Sequence, residues 1–376
     1  MNIMNIMNIA LITTHNANNY GAILQTFATQ EILKQYGTAT IINYENNHLS
    51  ISLDLVRFLP TVHGLLGMAK DIFRLFPRYR ALRKFQDFFD MYFNLSSLVS
   101  GDHIESLSEI YDVYVVGSDQ VWNPACVSKL RKIDSVYFLG FVPNEKIKIS
   151  YASSIGGYKY SEYEAVEVKE LLSGFNSISV REKDTKNYLE DMLGRRVEHV
   201  LDPTLLLAKD QWLNSLNIQK ESEPERYILF YCVPKLQGIK KIAKYYKEKL
   251  GIKLIALDQG LSSGVKVDKH IRDAGPIEFI ELFNNAEFII TDSFHGTCFS
   301  INFGKPFVVY TEGMHSNRIK SILEITGLKN RLLNNAENTD WLDDLIGDEG
   351  LEEGLVKLAD LRSKSLSFFD QALTPK

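Results

Sequence analysis

The sequence predicts an α/β protein with two Rossmann-like lobes, each a doubly wound parallel sheet flanked by helices. Short apolar runs, typical of buried strands, alternate with longer amphipathic patterns, typical of helices, over most of the chain. The series stops at the charged residues 218–226 and then begins again. The chain has 376 residues, which is enough for two domains with their own cores. Two α/β series in succession therefore predict two lobes.

The first lobe is assigned to residues 1–217 and begins with a β-α-β unit. Residues 9–13 form an apolar run, residues 22–37 place apolar side chains on one helical face, and residues 39–45 form a second apolar run. A strand, a helix and a strand in this order imply parallel pairing. The strand series continues with runs at residues 113–117, 148–154 and 177–180.

Residues 49–107 interrupt this alternation and are predicted to form a helical insertion. Within it, basic and aromatic side chains alternate over residues 71–89. This pattern is typical of an amphipathic helix that lies on the sheet with a solvated basic face. It also fits peripheral contact with a membrane surface or with an anionic lipid-linked acceptor. Asp71, Asp87 and Asp90 dilute the positive charge, so the first interpretation is favoured.

The second lobe is assigned to residues 227–338, after a linker at residues 218–226. It repeats the alternation of strand and helix, with apolar runs at residues 227–233, 252–258, 287–291 and 307–310. Residues 339–376 have a helical pattern and are predicted to pack back on the first lobe. Because ligands of open α/β sheets bind outside the carboxyl ends of the strands, we expect a ligand cleft between the lobes.

The composition argues for a globular protein without a nucleic-acid partner. Hydrophobic residues make up 45% of the chain, and the formal net charge of -5 gives no overall attraction to nucleic acid. The three cysteines are dispersed, so no disulfide framework is predicted. No apolar run is long enough to span a bilayer, and the N-terminus lacks a signal-peptide pattern. We therefore expect a cytoplasmic location, with the inner face of the membrane kept open.

Familiar cofactor and metal motifs are missing from both lobes. Neither the GxGxxG nor the GxxxxGK[ST] phosphate loop occurs, and neither HExxH nor a paired-cysteine zinc spacing is found. We expect no metal and no resident cofactor.

Polar residues follow several predicted strands, at the edge of each sheet where ligands bind. The first lobe offers Asn16, Asn19, Tyr20, Gly21, Asp119, Gln120, Trp122 and Arg181, and the second lobe offers Ser293, Phe294, His295, Gly296, Asn317 and Arg318. Structural roles stay open for several of them. Asp119 fits a turn, Trp122 fits packing as well as a sugar platform, and Arg181 fits an ion pair with Glu182.

His295 stands out because of its position at a predicted helix start. In "TDSFHGTCFSINFGKPFVVY", residues 291–310, a buried strand gives way to a helix beside Ser293 and His295. Ser293 fits a helix cap. A helix N-terminus also attracts anions, and its field favours the neutral imidazole in an empty site. A bound, multiply charged anion would favour the imidazolium instead. His295 is therefore a candidate general acid.

Several motifs resemble those of the polysaccharide pyruvyl transferase family. They are "YVVGSDQVWNP", "YASSIGG", "SVREKD", "LDPTLLL", the segment 291–310 and "SNRIKSIL", in the family's order and spacing, from the first strand to about Arg331. The resemblance implies a fold similar to the GT-B glycosyltransferases. It implies phosphoenolpyruvate as the donor co-substrate and a pyruvate ketal on a sugar as the product. The implied acceptor is a sugar, oligosaccharide or lipid-linked saccharide of a capsule or exopolysaccharide.

Two positions depart from the family pattern. Its arginine–leucine–histidine element resembles Ser293-Phe294-His295, with serine in place of the arginine. Its N-terminal NxGD element resembles residues 19–22, where Ala22 replaces the acid, so that acid is not carried over.

The resemblance assigns roles to the candidate residues. His295 is the predicted acid that protonates C3 of phosphoenolpyruvate. Arg181 is the second predicted catalytic residue and is also predicted to bind the donor. Arg318, Asn317 and the backbone around Ser293, Phe294 and Gly296 are predicted to complete the donor site. The other first-lobe candidates are predicted to contact the acceptor. Two alternatives stay open: a GT-B-type nucleotide-sugar glycosyltransferase and a non-catalytic carbohydrate- or anion-binding protein.

Overall fold

A computed structural model of the protein describes residues 6–56, 72–219, 225–233, 236–311, 316–334 and 342–373. Parts of three predicted segments lie outside these described residues. They are residues 57–71 of the helical insertion, 220–224 of the linker, and 339–341 and 374–376 of the tail.

The strands of the described residues form two six-stranded sheets. The first sheet contains β1 (Met7–Ile12), β2 (Gly37–Ile41), β3 (Val113–Val116), β4 (Ile147–Ser153), β5 (Ser177–Val180) and β6 (Glu198–His199). The second sheet contains β7 (Tyr227–Tyr231), β8 (Lys253–Leu257), β9 (Lys269–Ile271), β10 (Phe288–Thr291), β11 (Phe307–Tyr310) and β12 (Leu332–Leu333).

The strand orders confirm the predicted fold class. The first sheet has the order β2-β1-β3-β4-β5-β6 and the second has β12-β11-β10-β7-β8-β9, and the paired strands are parallel. In each sheet, strands are added first on one side of the opening strand and then on the other. This is the arrangement of doubly wound α/β sheets.

Helices connect the strands in both sheets. In the described part of the chain they are α1 (Tyr20–Leu33), α2 (Asn47–Ser50), α3 (Leu75–Tyr92), α4 (Pro124–Val127), α5 (Glu162–Ser173), α6 (Lys183–Leu193), α7 (Lys209–Ser215), α8 (Gln237–Leu250), α9 (Pro276–Asn285), α10 (Phe294–Asn302), α11 (Ser316–Ile325) and α12 (Leu351–Leu373). None of these helices is both long enough and apolar enough to cross a membrane.

The contacts divide the chain into two compact units. The first unit comprises Met1–Leu53, Phe89–Leu206 and Leu361–Lys376, and the second comprises Asp54–Phe88 and Leu207–Asp360. This division runs between Leu206 and Leu207, whereas the sequence placed the boundary at residues 218–226. It also assigns much of the predicted helical insertion to the second unit.

The end of α12 belongs to the first unit through specific contacts. The Phe369 ring stacks on Tyr151 of β4, with ring centres 4.3 Å apart. The backbone N–H of Leu201 donates to Ser365 Oγ over 3.0 Å. The last part of the predicted tail therefore completes the core of the first unit.

Each sheet has one point at which the strand order reverses. In the first sheet this point lies between β1 and β3, so residues 13–19 and 117–123 follow the two strands there. In the second sheet it lies between β7 and β10, so residues 232–233 and 292–295 follow the strands there. Ligands of doubly wound sheets bind at such crevices. The topology therefore brings the candidate residues near Asp119 and His295 to the two expected sites.

Helix α1 is buried on nearly all sides, which fixes the loop that precedes it. Several of its polar groups are hydrogen-bonded inside the fold: Thr26 Oγ1 donates to the Ala22 carbonyl over 2.8 Å, and Gln25 Nε2 donates to Thr13 Oγ1 over 2.8 Å. Buried polar groups are costly unless they are hydrogen-bonded. The Gln25 bond therefore ties α1 to the end of β1.

An aromatic cluster supports α10 in the second unit. Phe299 of α10 contacts Phe279 at 5.4 Å and Trp212 at 5.4 Å between ring centres. All three rings are completely buried. Truncation of such a side chain in a core typically costs about 3–5 kcal/mol, so this cluster holds α10 firmly.

Strand β4 carries one extra residue next to the first switch point. Its pairing with β5 shifts between Ser150 and Ser153, and Ala152 has a positive φ of 53°. This is the geometry of a β-bulge, which re-aims the residues that follow it. Beyond the bulge, the Ser154 N–H donates to the Asp119 carbonyl over 3.0 Å.

Candidate active site

Asp119 lies at the carboxyl end of β3 and has an unusual backbone conformation. Its φ is 73°, which lies in the left-handed region that residues other than glycine rarely adopt. Thr14 Oγ1, from the loop after β1, donates to Asp119 Oδ2 over 3.1 Å. The side chain is 18% exposed. The fold therefore aims a partly accessible carboxylate into the crevice between β1 and β3.

Arg181 lies at the end of β5 and is surrounded by three carboxylates. Its Nη1 donates to Asp202 over 2.9 Å, its Nε to Glu182 over 3.0 Å, and its Nη2 contacts Asp119 Oδ1 at 3.4 Å. Burial alone would lower the pKa of Arg181, but the charges of Glu182, Asp202 and Asp119 outweigh it and raise that pKa. Arg181 is therefore a permanent cation shared among three acids.

Glu182 and Asp202 are fixed more tightly than Asp119. Ser154 Oγ donates to Glu182 over 2.8 Å, and Thr204 Oγ1 donates to Asp202 over 2.8 Å. Their side chains are 10% and 1% exposed. The carboxylates of Glu182 and Asp202 are therefore bound within the interior, whereas the carboxylate of Asp119 is more accessible to solvent.

The surroundings of Arg181 change its predicted role. The sequence assigned Arg181 to the donor, as a catalytic cation. The side chain is 1% exposed, and one positive charge faces three negative ones. Excess negative charge disfavours a phosphate group at this place. The sequence also allowed an ion pair between Arg181 and Glu182, and the structure contains this pair. Arg181 holds the three carboxylates in position.

The predicted role of Trp122 as a platform for a sugar ring is wrong, because the structure encloses this side chain. It is fully buried, its Nε1 donates to the Tyr137 carbonyl over 2.9 Å, and it stacks on Phe138 at 5.5 Å. A ring enclosed in this way offers no face to a sugar. Trp122 is a core residue that supports the loop after β3.

The loop before α1 uses its predicted acceptor residues mainly for structure. Asn19 Oδ1 caps α1 by accepting from the N–H of Gly21 over 2.9 Å. Tyr20 is 6% exposed and Gly21 is buried, so neither offers much surface. Asn16 is partly exposed and remains a candidate for acceptor contact.

The side chain of Gln120 is hydrogen-bonded to Asn123 and fits into space that is open because Gly156 has no Cβ atom. Asn123 Nδ2 donates to Gln120 Oε1 over 2.9 Å. A Cβ atom added at Gly156 would lie 1.7 Å from the same Oε1 atom. Gly156 also has a φ of 57°, so glycine is required there for two reasons. The "YASSIGG" segment thus makes room for the Gln120 side chain.

In the second unit, Ser293 begins α10 as a helix cap. Its Oγ accepts from the Gly296 N–H over 3.3 Å, and its own N–H donates to Thr291 Oγ1 over 3.1 Å. A Cβ atom at Gly296 would lie 2.2 Å from Thr291 Oγ1. Glycine at this position therefore lets α10 start directly against β10.

The structure brings His295, Phe294 and Arg318 together. The rings of Phe294 and His295 make an edge contact at 5.2 Å, and the guanidinium of Arg318 lies over the Phe294 ring at 5.6 Å. His295 is half-buried, with its Nε2 atom inside the fold. Asn317 is exposed at the start of α11. A cation, an imidazole and the first turn of α10 thus lie side by side, an arrangement suited to an anion.

The sequence matches a model of the polysaccharide pyruvyl transferase family over residues 19–313, which is most of the chain. The protein belongs to the polysaccharide pyruvyl transferase family. The matched range includes Asp119, Arg181 and His295. It ends before Arg318, whose place beside Phe294 comes from the structure. A search of curated proteins finds no significant relative.

Solved structures with a similar fold support the GT-B-like architecture of this pyruvyl transferase family member. A putative UDP-N-acetylglucosamine 2-epimerase from Listeria monocytogenes has 11% identity, 94% coverage of this chain and 91% of its own, and a TM-score of 0.53. MnaA of S. aureus with UDP has 12% identity, coverages of 99% and 98%, and a TM-score of 0.53. An alpha-glucosyltransferase with UDP and DNA has 8% identity, coverages of 99% and 100%, and a TM-score of 0.51. These GT-B enzymes confirm the predicted fold class.

The candidate residues taken from the sequence did not include Thr14. Thr14 follows β1 at the carboxyl edge of the first sheet, which was the available signal. Its contact with Asp119 could not be found by spacing, because the two residues lie 105 positions apart. Asp202 lies 21 positions from Arg181, so spacing did not give that contact either, whereas the ion pair of Arg181 with the adjacent Glu182 was one of the predicted alternatives.

Proposed function

We propose that the protein transfers the pyruvyl group of phosphoenolpyruvate to two hydroxyls of a sugar and forms a pyruvate ketal. The family match supports a transferase of this class. The observation that carries the proposal is the cluster of His295, Phe294 and Arg318 at the first turn of α10. Phosphoenolpyruvate is a phosphate and a carboxylate on an enol, so it needs cations, N–H donors and an acid near C3.

The donor is assigned to the second unit. Arg318 has a full positive charge and lies next to the helix start, where backbone N–H groups and the helix dipole favour anions. Asn317 is the neighbouring polar group on α11. Its amide can donate to a phosphate or carboxylate oxygen. Arg181 is left out of this set because three carboxylates surround it.

The chemical steps need one proton donor and two attacking hydroxyls. His295 gives a proton to C3 of phosphoenolpyruvate, which creates an oxocarbenium-like centre at C2. The first sugar hydroxyl bonds to C2 and releases its proton to solvent. The C2–O bond to phosphate then breaks and phosphate leaves. The second hydroxyl bonds to C2 and also releases its proton to solvent. Because Nε2 of His295 is buried, we assign the donated proton to Nδ1. General acid catalysis contributes about 10²–10⁴ in rate.

The acceptor is assigned to the first unit. The partly exposed side chains of Asn16, Asp119 and Gln120 lie on the loops after β1 and β3. Amides and carboxylates bind sugar hydroxyls by accepting or donating hydrogen bonds. The acceptor class is a sugar, an oligosaccharide or a lipid-linked saccharide of a surface polysaccharide.

A phosphate-release assay tests this function. The protein is incubated with phosphoenolpyruvate and a panel of oligosaccharides, and the product is identified by a mass gain of a pyruvate less one water. Titration calorimetry with phosphoenolpyruvate, UDP-sugars and GDP-sugars runs in parallel. Binding of a nucleotide sugar without binding of phosphoenolpyruvate would favour a glycosyltransferase. Binding of oligosaccharide without any turnover would favour a carbohydrate-binding protein.

Peripheral contact with a membrane surface is part of the proposal. Phe73, which lies just before α3, and Phe76, in its first turn, are 80% and 75% exposed. Arg80, which also pairs with Asp273, and Arg83 follow Phe76 at helical spacing, so these three residues share one face of α3. Exposed aromatic rings beside cations are typical of contact with anionic lipid. A lipid-linked acceptor would be presented at such a surface.

Vesicle co-sedimentation tests the membrane contact. The protein is mixed with phosphatidylcholine vesicles that contain or lack phosphatidylglycerol. We expect retention on the anionic vesicles and its loss in the Phe73→Ser/Phe76→Ser variant. Tyr163→Ser/Val166→Ser is the matched control, because these side chains are 81% and 69% exposed on α5. Equal recovery of wild type in both supernatants would reject the contact.

A further inference from the structure

We propose that the loop of residues 128–132 contacts an anionic lipid surface, with Leu130 among the acyl chains and the three basic side chains around it at the phosphate headgroups. The basic residues are Lys129, Arg131 and Lys132. This loop, named the tip below, lies in the first unit and follows α4. The contact is separate from the one proposed for the start of α3, which lies in the second unit.

The tip holds a large apolar side chain in solvent among cations. Leu130 is 74% exposed, and the three basic residues beside it are exposed as well. A single exposed leucine is common on protein surfaces and needs no explanation by itself. This leucine differs in having three positive charges within two positions of it along the chain. Apolar side chains flanked by lysine and arginine bind at the interface of anionic membranes.

The positive charges of the tip are not neutralised by nearby acids. None of the three cations makes an ion pair with a carboxylate in the part of the chain that the structure describes. Arg80 of α3, by contrast, pairs with Asp273 over 2.5 Å. The chain has 47 acidic and 42 basic residues, so the charge of the tip is opposite in sign to that of the whole protein. The tip therefore complements the negative charge of lipid phosphates.

Hydrogen bonds close the tip into a turn. The Arg131 N–H donates to the Ser128 carbonyl over 3.1 Å, and the Lys132 N–H donates to Ser128 Oγ over 3.4 Å. The φ of Arg131 is 54°, which bends the chain back at the end of the turn. Leu130 lies between the bonded residues and thus at the apex. A turn that is already formed has less conformational freedom to lose when it binds a surface.

Two residues that follow β2 hold the chain on both sides of the tip. Before the tip, Asn46 Nδ2 donates to the carbonyl of the buried Val127 over 2.9 Å. After the tip, the Tyr44 hydroxyl donates to Asp134 over 3.1 Å, and Asp134 also accepts from the Val136 N–H over 3.1 Å. Both ends of the tip are therefore attached to the body of the first unit, and its exposed side chains project from a fixed base.

A short stretch of chain joins the tip to the candidate acceptor site. Asn123 donates to Gln120 Oε1 over 2.9 Å and caps α4 by accepting from the Ala125 N–H over 3.0 Å. Leu130 lies seven positions after Asn123, a span of at most about 25 Å. Contact of the tip with a bilayer would thus keep Gln120 near the membrane, which favours a lipid-linked saccharide as the acceptor. This choice of acceptor rests on the proposed function, whereas the lipid contact does not.

Leu130→Trp tests insertion of the tip. The variant is mixed with vesicles of phosphatidylcholine and phosphatidylglycerol whose acyl chains carry bromine, which quenches indole fluorescence on contact. We expect more quenching than in wild type, which gives the background from the native tryptophans. Ile110→Trp is the matched control, because Ile110 is 57% exposed and precedes β3, at the opposite edge of the same sheet. Quenching of Leu130→Trp that does not exceed that of this control would overturn the insertion.

Lys129→Gln/Lys132→Gln tests the contact with headgroups. A basic residue near an anionic surface strengthens binding about fivefold, so the partition coefficient on vesicles with phosphatidylglycerol should fall about 30-fold. Lys169→Gln/Lys183→Gln is the control, because it makes the same change of net charge at two other exposed positions of the first unit. Equal partition of the two variants would overturn the headgroup contact.

The outcomes separate the tip from the rest of the proposed function. Retention of wild type on anionic vesicles without excess quenching of Leu130→Trp would overturn the tip and leave the contact through α3. Excess quenching without phosphate release by wild type would support the tip while the proposed reaction fails. The absence of wild-type retention on anionic vesicles would overturn both membrane contacts.

Discussion

The guanidinium of Arg318 lies over the ring of Phe294, 5.6 Å from its centre. The same ring meets the imidazole of His295 at its edge, at 5.2 Å. Arg318 is thus held beside the start of α10 by an aromatic platform, through an attraction worth about 0.5–2 kcal/mol. The resemblance to the family places Ser293 where its arginine–leucine–histidine element has arginine, and Arg318 lies next to the same turn.

We predict that Arg318→Ala weakens donor binding. Removal of the guanidinium takes away the charge that pairs with the donor anion, so the apparent KM for phosphoenolpyruvate should rise about tenfold or more. The acceptor constant should change little. Lys320→Ala, an exposed change on the same helix, is the control. An unchanged phosphoenolpyruvate constant in steady-state kinetics would exclude Arg318 from the donor site.

We predict that His295→Asn removes most of the turnover while the fold is retained. Asparagine keeps a hydrogen-bonding group near the Nδ1 position but cannot act as an acid, so kcat should fall about 100-fold. Thermal unfolding should stay within a few degrees of wild type. His103→Asn, at an exposed position, is the control. Turnover near the wild-type value would remove the acid role from His295.

We predict that Gly296→Ala disturbs the start of α10. The new methyl group would lie 2.2 Å from Thr291 Oγ1 and 3.0 Å from the Tyr231 ring, so β10 and α10 must separate. Overpacking of this kind typically costs about 1–3 kcal/mol. Urea unfolding measures the loss. Gly347→Ala is the control, because its added methyl group meets no atom within 4 Å. Equal stability of the two variants would contradict the close approach.

We predict that Arg181→Met is strongly destabilising. It leaves Asp119, Glu182 and Asp202 without their common cation, and breaking a buried pair typically costs about 3–5 kcal/mol. The loss should be smaller at pH 5 than at pH 7, because unpaired carboxylates take up protons more readily. Arg226→Met is the control: Arg226 pairs with Glu287 at the surface and is 71% exposed. Similar losses in the two variants would argue against the buried network.

We predict that Lys305→Met stabilises the protein at neutral pH. Burial, and then the charge of Lys209, lower the pKa of Lys305 to about 8, while an unfolded lysine has a pKa of about 10.4. Between these values the unfolded chain binds more protons, so wild-type stability rises with pH across this window. The gain from Lys305→Met should therefore be largest below pH 8 and vanish above about pH 10.4. Urea unfolding at pH 7 and pH 10.5, with Lys244→Met as an exposed control, checks it.

The parallel sheets could be predicted from the sequence because each strand has a pattern that can be recognised within a few neighbouring residues. Each buried strand is a short apolar run, and helices with an apolar face lie between the runs. The limits of the units were not readable. The contact division assigns residues 54–88 and 207–217 to the second unit and the end of α12 to the first. Such assignments depend on which distant core a helix covers, and periodicity carries no information about that.

The sequence predicted where the candidate site lies in the fold, but it predicted few of the contacts between the site residues. Strand ends directed attention to Asp119 and His295, and the topology places both at switch points. Trp122 was misjudged because a tryptophan after a strand suits a core as well as a sugar. The surroundings of Arg181 were not predicted, because they are built from the distant residues Asp119 and Asp202 as well as its neighbour Glu182.

The additional residue at Ala152 makes the first unit sensitive to changes of chain length in β4. A single-codon deletion there would restore an unbroken ladder with β5 and turn Ser153 and Ser154 to the opposite faces of the sheet. The Ser154 link to Asp119 and the Ser154 contact with Glu182 would then be lost together. Genes of this type should therefore tolerate point changes in β4 far better than in-frame losses, and deletion scanning would reveal that asymmetry.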